Sequence, residues 1–90
     1  MPQAVVDPNE LRRFAQQLKR FNGDLRGQMS LLRGQLASLG TTWRDQENIR
    51  FTEEFDQTMA VVNKFLEASD QHVPFLLRKA QKVEDYLHQR

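Results

Sequence analysis

Leucine recurs at every seventh position through the first part of the chain, at Leu11, Leu18, Leu25, Leu32 and Leu39. Seven residues are close to two turns of α-helix, so this spacing lines the leucines up on one side and calls for another helix to cover them. Phe14 and Phe21 follow the early leucines at +3, whereas Met29 and Leu36 follow the later ones at +4. That change predicts a buried face that rotates slightly along the helix. Asp7-Pro8-Asn9-Glu10 supplies a cap, a proline suited to the first turn and an acid for the positive end of the helix dipole. Gly40 is expected to end the helix in a left-handed conformation, giving a first helix over about residues 8–39.

A second periodic segment resumes after the stretch Gly40-Thr41-Thr42-Trp43-Arg44-Asp45 and is expected as a helix over about residues 46–88. Phe51, Phe55, Met59, Val62, Leu66, Val73, Leu76, Ala80, Val83 and Leu87 form one stripe, interrupted by Ser69. Val61, Phe65, Ala68, His72 and Phe75 form a shorter one beside it. Two adjacent stripes are wider than one neighbouring helix can cover, so this helix is expected to touch both the first helix and a partner. Pro74 removes a backbone donor and predicts a kink near residues 70–74; a break into a third helix capped by Asp70 is the alternative. A turn centred near Trp43 brings together positions whose numbers sum to roughly 86, at equal rise per residue. Leu36 is then expected near Phe51, Leu25 near Val62, Phe14 near Val73, Arg33 near Glu53 and Lys19 near Glu67, with Val83 and Leu87 overhanging the start of the first helix.

The fold class is therefore all-α: an antiparallel two-helix hairpin forming one domain over residues 1–90. With 90 residues and no cysteine, the core is small and has no disulfide to support it. Association into a dimeric four-helix bundle is the expected remedy. Charge is uneven along the chain: residues 1–40 carry six basic and three acidic side chains, 41–72 three and seven, 73–90 four and two. A basic first helix folded against the acidic start of the second is the arrangement that Coulomb attraction favours.

Gly23, Gly27, Ser30, Gly34 and Ala37 follow a 4-3-4-3 spacing on a side of the first helix away from the leucines. Each helical glycine costs about 0.8–1 kcal/mol relative to alanine, so the stripe suggests close approach by a second subunit; tolerated surface glycine is the alternative. With Val61, Phe65 and Phe75 it makes up the expected dimer or partner interface. Arg12, Lys19, Arg26 and Arg33 flank the leucines at the same seven-residue period, a line suited to covering the seam and pairing with acids on the neighbouring helix. It has no stacking aromatics or nucleic-acid-binding motif beside it, so no nucleic-acid partner is expected.

No catalytic signature is legible. Glu53-Glu54 and Glu84-Asp85 are adjacent pairs that diverge by about 100° on a helix, and His72 and His88 lack the companions a zinc site needs. An enzyme, a metal site and a cofactor are therefore not expected, and no membrane span or cleaved leader is expected either.

A chain of this length with two amphipathic helices and a tryptophan at the bend resembles the WXG family, small helical-hairpin substrates of type VII (ESX-type) secretion systems. Trp43 takes the place of the motif tryptophan, and Phe51, eight residues on, that of a common family aromatic. The chain reads Trp43-Arg44-Asp45 where the family has Trp-Xaa-Gly; Asp45 is expected to serve the bend by capping the second helix. Tyr86 stands where the family's tail signal has a tyrosine, with Arg90 in place of the acidic residue four positions later. The resemblance implies a protein that leaves the cell without a cleaved signal peptide. Its implied partners are proteins: a homodimer or a heterodimer with a related hairpin, and a secretion ATPase or larger toxin docking at the bend and Arg44. A cytoplasmic helical adaptor or chaperone that completes a larger bundle is the alternative.

Overall fold

The computed structural model describes residues 6–89. Two helices, α1 (Pro8–Leu39) and α2 (Gln46–His88), pack antiparallel as a hairpin. Asp7 caps α1 by accepting the backbone N–H of Asn9 at 2.8 Å, with Pro8 in the first turn. α2 runs unbroken through Pro74, so the third helix envisaged as an alternative does not form. Asp70 sits inside α2 and points across to α1 rather than capping a new helix.

The seam between the helices is a heptad-like line. On α1 it follows Leu11, Ala15, Leu18, Asn22, Leu25 and Met29, with Ala15, Asn22 and Met29 buried. Every companion of a leucine here is at +4, so the expected rotation of the face does not occur. Phe14 and Phe21 lie off the seam and remain 57% and 49% exposed. On α2, Met59, Leu66, Ser69, Val73 and Ala80 are buried, and Leu66 is the largest fully buried apolar side chain. Leu66 packs with Met29 and Met59, and Leu25, Phe55 and Val62 close around them.

The register differs from the expected one. Asn22 is opposite Ser69, so facing positions sum to about 91 rather than 86. Leu36 shares a recess with Phe55 rather than Phe51, and the recess also holds Gly40 and Thr52. The cross-hairpin ion pairs among the described residues are Arg12–Glu84 and Arg26–Asp70, in place of the expected Arg33–Glu53 and Lys19–Glu67. Val83 is half-buried, so only Leu87 of the expected overhang stays exposed. The physical reason lies in the connection: it carries the chain past the end of α1 before α2 begins, leaving the first turn and a half of α2 projecting beyond Leu39.

The hairpin is long and thin, 70 × 19 × 15 Å, with a radius of gyration of 20.3 Å against roughly 12 Å for a compact domain of this length. Its accessible surface is 7234 Å², where a compact monomer of its mass exposes about 5,500 Å². A two-helix layer can bury one stripe per helix and no more. The second stripe on α2 is left outside.

Candidate functional site: the bend and the uncovered face

Six residues make the bend, and their backbone accounts are closed locally. Gly40 is in the right-handed helical region at φ −64°, not the left-handed one expected, and no described residue has a positive φ. Its N–H bonds to the Leu36 carbonyl, while the N–H groups of Thr42 and Trp43 share that of Leu39. The hydroxyls of Thr41 and Thr42 donate to the carbonyls of Ser38 and Leu39, so threonine does what a left-handed glycine often does at a helix end. Arg44 donates from Nε to the Thr41 carbonyl at 3.0 Å and otherwise stands in solvent.

Asp45 begins α2. Its carboxylate accepts the Asn48 N–H at 3.1 Å, and its backbone is extended at φ −91°. Nothing at this position requires glycine. Asp45→Ala is expected to lower stability by about 0.5–2 kcal/mol, whereas Asp45→Gly should cost only a few tenths, as measured by thermal unfolding followed by helical circular dichroism. Trp43 is half-buried and packs on Phe51 with ring centroids 5.9 Å apart, and Phe51 in turn meets Phe55 at 6.1 Å. This aromatic row fills the overhang left by the offset register. Phe51 therefore belongs with Trp43 rather than with Leu36.

The residues expected to form one partner interface fall on two different faces. Phe65 and Phe75, 52% and 58% exposed, line an open apolar groove with Phe14, Leu18, Ala68 and His72. Val61 continues this face toward the bend and is 68% exposed. Gly23, Gly27 and Gly34 lie roughly 140–180° round α1 from Phe14, at 100° per residue. A Cβ built on any of these three would meet nothing within 4 Å, so the hairpin itself makes no close approach there. Ser30 and Ala37 are likewise exposed on that side. Tyr86 is exposed near the end of α2, and Arg90 lies outside the described residues.

One cluster escapes the apolar pattern. Asn22 and Ser69 are 1% and 3% exposed in the middle of the apolar seam. Ser69 Oγ donates to Asn22 Oδ1 at 2.8 Å, and Asn22 Nδ2 donates to Asp70 Oδ1 at 3.1 Å. Arg26 grips both Asp70 oxygens, at 3.2 and 2.6 Å. Asparagine at a seam position that accepts few alternatives pins helix register, because any slip leaves it buried without a partner. The signal in the sequence is a polar residue four positions after Leu18, at the site a heptad reserves for an apolar one.

Arg26 holds the Asp70 carboxyl below its ordinary value, first through the hydrogen bond and then through its charge, with the Asn22 amide adding to this. The same hydrogen bond holds the Arg26 guanidinium above its own. A carboxyl with a depressed folded-state pKa stabilises fully above its unfolded value of about 4, and loses that contribution as pH falls through the folded value. Urea midpoints of the wild type and Asp70→Asn should therefore differ at pH 7 and converge as pH is lowered below about 4. Arg12 and Arg26, two of the four in the basic line, are thus engaged within the hairpin.

Among the described residues, no three His, Cys, Asp or Glu side chains converge as a metal site, and no helix is long and apolar enough to cross a membrane. What the geometry offers is a structured bend at one end and an uncovered apolar face along one side.

This architecture has relatives. The family model WXG100, proteins of 100 residues with WXG, matches residues 3–86, and the chain belongs to this family. The crystal structure of the secreted protein EsxB from Bacillus anthracis strain Sterne superposes with a TM-score of 0.80 at 26% identity, covering 96% of this chain and 98% of that one. A wild-type crystal form of the same protein gives 0.79 and 26%, covering 93% and 97%. A variant of it with one glycine replaced by alanine gives 0.79 and 26%, covering 94% and 98%. No match is found among the curated proteins. At the third position of the motif this chain carries Asp45, which caps α2.

Proposed function

We propose that this is a non-enzymatic protein exported by, or associated with, a type VII (ESX-type) secretion system, acting through protein contacts as a homo- or heterodimer. The observation that carries the reading is the uncovered apolar face of α2 with Phe14 of α1, on a hairpin shaped like the secreted EsxB. A 10.6 kDa chain that exposes so much more surface than a compact monomer gains most by sharing it with another chain. Partnering in this way completes a four-helix bundle. Trp43, Arg44 and Asp45 then form the exposed tip at which a secretion ATPase or a larger partner docks, and Tyr86 contributes to the tail signal. The glycine stripe, on the opposite side of α1, offers a second surface where another backbone can approach closely.

Export is tested by expressing the chain in a type VII-competent host and in the same host lacking the secretion ATPase. Accumulation in the culture supernatant of the first alone is the expected result. Retention of folded protein in the cells of both hosts would contradict export and favour a cytoplasmic adaptor.

A further inference from the structure

Beneath the bend, on residues that take no part in the apolar groove, the two helices leave a recess of ≈ 290 Å³. That volume stands at the foot of the range for small-molecule sites, about 300–1,000 Å³, so the recess suits only a small ligand. Leu36 and Phe55 make its apolar part, one from each helix. Around them stand polar groups of both signs that the hairpin itself leaves unused.

Two are acceptors. The Ala37 carbonyl is passed over at the end of α1, because the Gly40 N–H bonds to Leu36 and that of Thr41 to Ser38. Gly40 carries no side chain to cover this oxygen; a Cβ there would stand 3.3 Å from it. The last turn of α1 holds no basic residue to offset the negative end of the helix dipole. The Asp56 carboxylate lines the same recess from α2. The donors are the Arg33 guanidinium, the Thr52 hydroxyl and the amide of Asn48, in the first turn of α2. Arg33 and Asp56 share the recess but enter neither of the cross-hairpin ion pairs among the described residues. Asn48 Nδ2 is buried with no acceptor, a cost that native proteins seldom carry without a use.

A ligand of one charge would answer one of these sets and meet its own sign in the other. We propose that the recess binds a small zwitterion with an apolar side chain, of amino-acid or dipeptide size, held between Arg33 and Asp56. Its ammonium bonds to Asp56 and the Ala37 carbonyl. Its carboxylate takes Arg33 and the Asn48 amide, which turns about its last torsion to reach it. Its side chain covers Leu36 and Phe55. This site goes beyond the dimer reading and does not depend on it.

An NMR titration of the isotope-labelled full-length chain tests the proposal, with L-leucine and the dipeptide leucyl-alanine as the two zwitterions. Saturable shifts are expected at the Asn48 side-chain amide and at the backbone amides around the recess with at least one of them. The tighter binder gives the separation of the two charges. Isocaproate and isopentylamine keep the side chain of leucine and one charged group each, and should bind about five- to tenfold more weakly. Arg33→Gln and Asp56→Asn should each weaken the zwitterion by a similar factor. Both side chains are exposed, so helical circular dichroism should not change. No saturable shift with either zwitterion would overturn the proposal. Equal binding of the singly charged analogues, or wild-type binding by both variants, would overturn it as well.

Discussion

Leu66→Ala is expected to destabilise the hairpin by about 2–5 kcal/mol, a large share of the total stability of a domain this size. Leu66 is fully buried at the centre of the apolar cluster among the described residues, against Met29 and Met59. The packing partners come from both helices, so truncation leaves a cavity that neither helix can close without losing the other's contacts. A hairpin with a single seam has no second core to fall back on. Urea unfolding monitored by helical circular dichroism should show a midpoint shifted far down or no folded baseline. Phe65→Ala, one residue away but on the outer face, should leave the unfolding of the isolated hairpin nearly unchanged.

Asn22→Ala is expected to cost about 1–3 kcal/mol for a different reason. The substitution leaves the Ser69 hydroxyl buried without its partner and takes a donor from Asp70. Ser69→Ala removes the other half of the same contact. In a double-mutant cycle the two should couple by about 0.5–3 kcal/mol, the double variant being less damaged than the sum of the singles. Additive losses would mean that Asn22 contributes through volume alone and that the network has no part in fixing register. The pair stabilises one alignment rather than the hairpin in general, since an apolar residue at both positions would permit neighbouring registers.

Both results bear on what the sequence discloses. Heptad leucines, the caps at Asp7 and Asp45 and the glycine-threonine-tryptophan bend place two helices and their connection, because each rests on local chemistry. The side of α1 that packs is less legible. Phe14 and Phe21 outrank Ala15 and Asn22 on any apolar scale, yet the smaller residues occupy the seam. Helices roughly 8–10 Å apart have room for small side chains between them, and the bulky rings go to the margin. That displacement is itself informative, since it leaves the phenylalanines available to another chain. The register departs from expectation because counting outward from Trp43 treats the bend as symmetric, whereas its threonines extend α1 by a turn before the chain crosses.

The candidate interface is half legible for a related reason. Periodicity identifies stripes on single helices, and both the glycine line and the Val61–Phe75 line are visible as such. Only the packed hairpin tells which stripes share a face, and it puts these two on opposite sides. It also gives the Trp43–Phe51 contact a role in filling the overhang at the bend.

The central claim is that this hairpin associates through its uncovered face, in the simplest case with a second copy of itself, and the mass of the wild-type chain in solution tests that homodimer most directly. Sedimentation equilibrium from about 1 to 100 µM should give a species of twice the 10.6 kDa chain mass, dissociating only toward the dilute end. A cooperatively folded 10.6 kDa monomer across the whole range would contradict it.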